Sequence, residues 1–186
     1  MSFLKTFYKK TIKYDLLNKF IYKKTINIPK LKKIDLNFAA KTSKLIDLAS
    51  NLLALEIIAS KKSNLTKTKK ANPVLKLRKG NPVGCKVTIK KNLMFNFLEY
   101  NIINIIPQLK YSNNLKSLNI KINKNTLSYN IKNLFIFNEL EKNYYLFNDL
   151  KKLDVVVLIN SKKLKEISFI TNSIKMTLSN KISMHI

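Results

Sequence analysis

Apolar residues recur along this chain with two different periods, and the switches between them mark out the elements. Over residues 3–20, Phe3, Leu4, Phe7, Ile12, Leu16, Leu17 and Phe20 fall at roughly helical spacing, which predicts an amphipathic helix. From Ile28 to Phe38 the period drops to two. Ile34, Leu36 and Phe38 alternate with Lys33, Asp35 and Asn37, so one face of a strand is core and the other polar. Pro29 stands at its start, where a missing N–H is tolerated. Residues 44–59 return to helical spacing, with Leu45, Leu48, Leu52, Leu55 and Ile58 or Ala59 on one face and Thr42 or Ser43 as the cap. Cys85 to Ile89 alternates again. Residues 92–106 are apolar almost all round, which predicts a buried helix ended by Pro107. Leu118-Ile120-Ile122 and Leu127-Tyr129-Ile131 read as short strands, 138–152 as a polar, aromatic connection, and the β-branched run Leu153 to Ile159 as an interior strand. Residues 162–180 read as a closing helix with Leu164, Ile167, Phe169 or Ile170, Ile174 and Leu178 inward. No repeat, low-complexity linker or boundary interrupts the pattern, so one domain over 1–186 is expected.

Between Thr66 and Ile89 the chain concentrates its rare residues. Both glycines (Gly80, Gly84), two of the four prolines (Pro73, Pro82), the only arginine (Arg78) and the only cysteine (Cys85) lie here. Glycine and proline fix unusual backbone turns, so this stretch predicts one shaped loop between two strands. It also carries Lys67, Lys69, Lys70, Lys76, Lys79 and Lys86, a hairpin presenting positive charge.

Composition sharpens what that charge is for. Lys+Arg number 36 against 10 Asp+Glu, a formal charge of +26 with a pI near 10.1, in a chain that is 46% hydrophobic. Such like charge repels itself in the compact state and is tolerated where a polyanion neutralises it, with nucleic acid the first candidate. The lysines are interleaved with Leu, Ile, Phe and Tyr, which argues against a disordered tail. No apolar run approaches the about 18 residues of a membrane span. A single cysteine excludes an internal disulfide. Lysine outnumbers arginine 35 to 1, and Asn, Ile and Leu crowd the rest, the signature of an A- and T-rich genome such as an organelle's or an AT-rich bacterium's.

Catalytic chemistry is not evident. The lone His185 is penultimate, so no Ser/His or Cys/His pair can activate a nucleophile. Cys85 lies in a strand pattern and reads as a small buried hydrophobe. Metal-ligand clusters and P-loop spacing are missing, and no cofactor is expected. Glu139, Glu141, Asp149 and Asp154 gather locally and read as an exposed acidic connection, available for a protein contact.

Thr66-Lys67-x-Lys69-Lys70 followed by Lys76-x-Arg78-x-Gly80-x-Pro82-x-Gly84-Cys85-Lys86-Val87-Thr88 resembles, without gaps, the T-K-A-R-K…K-x-R-x-G-x-P-I-G-C-K-V-T signature of the ribosomal protein L-five family, the 5S rRNA-binding proteins of the large subunit. Tyr8-Lys9, Ile28-Pro29-Lys30, Leu36-Asn37, Phe95 to Pro107, Ile136-Phe137-x-Glu139 and Leu153-Asp154 are similar to further family segments in the same order. The resemblance spans essentially the whole chain and starts almost at Met1, from which an organelle-encoded, mitochondrial form without a transit peptide is expected, with a plastid or an AT-rich bacterial cytoplasm as the alternatives.

The resemblance implies an α+β domain, a curved, mainly antiparallel sheet with helices packed on one side, in family halves of about 1–80 and 81–186. It implies a structural, non-enzymatic place in the central protuberance, bound to 5S rRNA or a large-subunit rRNA substitute and beside neighbouring large-subunit proteins. The RNA-binding residues it implies are Asn37, Lys61, Thr66, Lys67, Lys69, Lys70, Lys86 and Thr88; Asn and Thr suit 2′-hydroxyls and base edges, and lysines suit phosphates. Asn72, Lys76, Arg78 and Lys79 fall in the loop that faces peptidyl-site tRNA. Glu139, Glu141 and Asp149 are assigned to a small-subunit head protein. This chain departs from the family where A-G-F at the loop tip becomes Pro73-Val74-Leu75, where the F-D-G-R-G-N segment becomes the glycine-free Asn119 to Thr126, and where the family's strand-leading Gln becomes Lys61. The alternative function is a free basic RNA-binding or maturation factor of an organelle.

Overall fold

The computed structural model describes residues 2–39, 45–74, 77–111, 120–123, 125–161, 163–176 and 183–184. Among these, strands β1 (Lys30–Ala39), β2 (Asn64–Lys67), β3 (Pro82–Ile89), β4 (Lys121–Ile122), β5 (Thr126–Ile131), β6 (Leu153–Asn160) and β7 (Ser183–Met184) hydrogen-bond in the order β2-β3-β1-β6-β5-β4-β7. The order has two free ends and does not close into a barrel. β2 and β4 run antiparallel to β3 and β5; the two-residue β7 lies parallel to β4. With helices packed against this sheet the class is α+β, as expected.

One face of each longer strand is core. Ile34, Leu36 and Phe38 on β1, Cys85, Val87 and Ile89 on β3, Leu127, Tyr129 and Ile131 on β5, and Leu153, Val155, Val157 and Ile159 on β6 are all buried. Between them, Asn37, Lys86, Thr88, Ser128, Asn130 and Asp154 stay half-exposed. The period-two alternation is therefore the imprint of a sheet covered on one side. β6 lies inside the order, as its β-branched run predicts, but only one of its faces is fully buried.

The chain forms two compact units, one of residues 1–34, 90–129 and 156–186, the other of 35–89 and 130–155. Three of the four crossings between them fall inside strands β1, β5 and β6, so no linker composition marks them.

In the first unit, α1 (Phe3–Phe7) and α2 (Lys13–Lys19) are joined by a π-helical turn, Tyr8–Ile12, and α1 packs on α4 (Lys91–Tyr100). The buried positions are Leu4, Tyr8, Ile12 and Leu16, while Phe3 is 71% and Leu17 40% exposed. This corrects the face predicted from spacing. A strict step of four overshoots the 3.6-residue turn by about 40° each time, and the wider π turn absorbs the drift. The Tyr8 hydroxyl donates to the carbonyl of Pro29 at 2.9 Å, tying this helix to the start of β1, and burial pushes its pKa up to about 12.

A second π turn, Asn101–Ile105, follows α4 and leads into α5 (Ile106–Tyr111). Pro107 thus lies in the first turn of α5 instead of ending the helix. A proline near a helix start lacks an N–H that would be unpaired anyway, and the π turn supplies that new start. α8 (Leu164–Ser173) buries Ile167 and Ile170, with Ile174 just beyond, and is shorter than the predicted closing helix; Leu178 lies outside the described residues.

In the second unit, α3 (Leu45–Ala59) packs on β3, with the one-turn helices α6 (Asn138–Glu141) and α7 (Tyr144–Phe147) against it. Its buried face is Leu48, Asn51, Ala54, Leu55 and Ala59, whereas Leu45, predicted inward, is 79% exposed. So many of its residues are apolar that spacing alone leaves the inner face open, and the packing against β3 selects it. The proposed caps Thr42 and Ser43 lie outside the described residues.

Candidate nucleic-acid interface

The β2–β3 hairpin predicted from Thr66 to Ile89 is present. Thr66 pairs with Gly84 and Asn64 with Lys86, with a register shift between Thr66 and Lys67. Beyond the strands the hairpin continues: the Thr68 amide donates to the Asn81 carbonyl (2.9 Å), the Gly80 amide to the Thr68 carbonyl (3.0 Å), and the Thr68 hydroxyl to the Arg78 carbonyl (2.6 Å). Asn72 and Leu77 exchange two backbone bonds at the loop end, and the Asn72 side chain accepts from the Val74 amide. At its base, Glu56 on α3 accepts from both the amide and the hydroxyl of Ser63, fixing where β2 begins. Those bonds, the amide first, hold the Glu56 carboxyl below its usual range.

The two glycines serve different ends. Gly80 has φ +91°, a left-handed turn position, and nothing stands within 4 Å of where a Cβ would lie. Gly84 is an ordinary strand residue in φ, but a Cβ there would lie 2.6 Å from the Phe38 carbonyl oxygen of β1 and 3.1 Å from the Thr66 hydroxyl of β2. Three strands approach closely because this position has no side chain.

Residues opposite one another in a ladder share a face, as do residues two apart on a strand. Thr66, Gly84, Lys86 and Thr88 therefore lie on one face. The Thr88 hydroxyl donates to Asp35 Oδ1 at 2.6 Å and Lys86 Nζ stands 3.4 Å from Asp35 Oδ2, so Asp35, and with it Asn37, join the same face. Lys61 arrives from outside the strands and donates from Nζ to the Thr88 carbonyl at 2.6 Å. The structure thus brings together five of the residues expected to bind RNA: Asn37, Lys61, Thr66, Lys86 and Thr88. Lys67, at the end of β2, and Lys69 and Lys70, on the turn, are exposed along the same hairpin. Asn72, Arg78 and Lys79 are exposed in its loop, and Lys76 lies outside the described residues.

Asp35 is the member that sequence reading passed over. It is 9% exposed, an acid inside the basic face. The signal was there: a carboxylate at an out-facing position of a strand whose neighbours are lysines.

The acidic residues are placed elsewhere. Glu139 and Glu141 are exposed on α6, Tyr144 and Tyr145 are exposed on α7, and Asp149 is exposed after it; the Tyr144 ring packs against Phe135 tilted by 40°, with 4.6 Å between ring centres. Asp154 is on β6 and pairs with Lys152 at 3.7 Å. Among the described residues no group of three or more His, Cys, Asp or Glu could hold a metal ion, and no helix is long and apolar enough to cross a membrane. His185 lies outside those residues.

Cys85 faces the core, with its sulfur 3.7 Å from the Leu48 carbonyl, and burial pushes the thiol up to about 11. At pH 8 only about one thiol in a thousand is ionised. A disulfide reagent is therefore expected to label Cys85 no faster than the chain unfolds; rapid labelling of the folded protein would contradict this placement.

Comparison with protein-family models returns no match. Curated proteins are similar over most of their length: large ribosomal subunit protein uL5m of Reclinomonas americana is 32% identical over 182 residues, 96% of this chain and 99% of that protein. Large ribosomal subunit protein uL5 of Wigglesworthia glossinidia brevipalpis is 36% identical over 166 residues, 86% of this chain and 89% of that one. The uL5 of Malacoplasma penetrans is 33% identical over 176 residues, 91% and 90% of the two. Because similarity at 32–36% identity extends over 86–96% of the chain, far beyond the glycine-containing motif, the chain belongs to the uL5 family of large ribosomal subunit proteins.

Proposed function

We propose that the chain is a structural constituent of the mitochondrial large ribosomal subunit, seated in the central protuberance, where the polar face of β1, β2 and β3 binds 5S rRNA or the rRNA segment that replaces it. As a uL5 protein it is a ribosomal component and not an enzyme. The observation that carries the RNA reading is the convergence of Asn37, Thr66 and Thr88 on one half-exposed sheet face beside Lys61. Amide and hydroxyl groups there can address ribose 2′-hydroxyls and base edges, with Lys86 beside them, while Lys61, Lys67, Lys69 and Lys70 supply positive charge toward the backbone. The loop with Asn72, Lys76, Arg78 and Lys79 faces peptidyl-site tRNA. Glu139, Glu141 and Asp149 offer the small-subunit head a contact of opposite sign to the rest of the chain. The mitochondrial part of this reading is supported by the likeness to a uL5m protein; the matrix is the compartment proposed with it.

Two measurements test this. A tagged chain expressed in mitochondria is expected to sediment with intact large subunits and to leave them only when the RNA is digested; a free, slowly sedimenting pool alone would favour a separate maturation factor. Replacing Asn37→Ala with Thr66→Ala removes two polar groups without touching the Asp35–Thr88 pair, and is expected to weaken binding to a 5S rRNA transcript by about 10–100-fold, at about 1 kcal/mol per hydrogen bond. Unchanged binding would remove the RNA from this face.

A further inference from the structure

The RNA-facing sheet carries a carboxylate in its midst, and its geometry gives that carboxylate work to do. Asp35 is nearly buried, its side chain 12% exposed, yet it points to the polar face, where it accepts from the Thr88 hydroxyl at 2.6 Å and pairs with Lys86 at 3.4 Å. The two nearby lysines differ in what they bind. Lys61 gives one N–H to a neutral carbonyl and keeps its full charge; Lys86 faces a carboxylate, and the pair is neutral overall.

We infer that Asp35 is a positioning residue that sets what Thr88 and Lys86 can recognise. This rests on the reading that RNA meets this face. A hydroxyl has one proton and two lone pairs. With the proton committed to Asp35, Thr88 meets the RNA through its oxygen alone, and accepts from a donor. A ribose 2′-hydroxyl or an exocyclic amino group can donate; a phosphate oxygen cannot, and the neighbouring carboxylate repels it. Lys86, neutralised in place, does not replace a counterion on the RNA backbone. The patch around Thr88 therefore selects donor groups of the sugar or base edge, and phosphate neutralisation falls to Lys61 and to Lys67, Lys69 and Lys70 along the hairpin. The refinement concerns Lys86: it sits on the interface and leaves the salt dependence of binding unchanged.

The test is a cycle of variants in the full chain, with a bacterial 5S rRNA transcript as the probe and affinity followed against salt. Asp35→Asn keeps an oxygen for Thr88 and releases Lys86, so the slope of log K against log salt is expected to steepen by about 0.7–0.9, one further phosphate contact. Lys86→Gln alone is expected to leave the slope unchanged, and in the Asp35→Asn background to abolish the steepening. Selectivity for the transcript over single-stranded DNA of the same sequence is expected to hold in Asp35→Asn, whose amide oxygen still takes the Thr88 proton, and to fall several-fold in Asp35→Ser, whose shorter side chain leaves that proton free. Asp35→Ser provides a second neutral variant where the amide disturbs folding, which thermal melts report. A slope unaltered by Asp35→Asn and Asp35→Ser, or one lowered by Lys86→Gln in the otherwise natural chain, overturns the role of Asp35. Failure of Asn37→Ala with Thr66→Ala to weaken binding overturns it at its base, by taking the RNA off this face.

Discussion

Replacing Gly84 with alanine is expected to lower the melting temperature of the chain by about 10 °C, whereas Gly80→Ala lowers it by about half as much or less. The new methyl at Gly84 would lie 2.6 Å from a backbone oxygen of β1 and 3.1 Å from a side-chain oxygen of β2. The first of these cannot rotate away, so β1 and β3 must move apart where their core residues Phe38 and Cys85 are fully packed. Overpacking of this kind costs about 3 kcal/mol, and a domain of this size loses about 2–4 °C per kcal/mol. At Gly80 there is open space, and the cost is that of holding an L-residue at φ +91°, about 1–2 kcal/mol. The two variants also separate in RNA binding. Gly84→Ala displaces Thr66 and the strand that bears Asn37, and is expected to lose affinity; Gly80→Ala leaves both where they are. Equal losses of stability in the two variants would show that the three-strand approach at Gly84 is not tight.

These glycines also show how far the sequence could be read. Their concentration in one basic stretch marked the hairpin, yet a turn was expected of both, and only Gly80 makes one. The reason for Gly84 lies in β1, forty-six positions upstream at Phe38, and no local pattern records it. The same division runs through the fold. β1, β3 and β6 were legible because burial on one face imposes a period of two. The helices were legible as helices but not in their orientation: Leu45 and Phe3 are exposed while Asn51 and Tyr8 are buried. A helix with apolar residues on most of its circumference does not state which side packs, and a π turn shifts the phase in mid-helix. Within the candidate interface, alternation and the family motif together pointed to Asn37, Thr66 and Thr88, which the structure brings onto one sheet face. The approach of Lys61 to Thr88 spans 27 residues and the bond from Thr88 to Asp35 spans 53, and both are products of strand order.

The affinity of the chain for large-subunit RNA is expected to fall by about 10³-fold between about 50 and 200 mM salt, with a log–log slope near −5. Among the exposed cations on or beside the hairpin in the described residues, six are expected to meet RNA: Lys61, Lys67, Lys69, Lys70, Arg78 and Lys79. Each that meets a phosphate releases a condensed counterion, and about 0.7–0.9 of an ion per contact gives that slope. Removing Lys69 and Lys70 together, each as Lys→Gln, is expected to flatten it by about 1.5. The hydrogen-bonding groups behave differently, since no ion is released when an amide or hydroxyl meets a ribose. Asn37→Ala with Thr66→Ala should therefore shift the whole line to weaker binding and leave its slope intact. The two classes of residue on this sheet thus separate in one titration series, charge reading out in the slope and recognition in the intercept. A flat salt response would remove the electrostatic account, and a slope changed by Asn37→Ala with Thr66→Ala would show that these residues act by holding the lysines in place and not by touching the RNA.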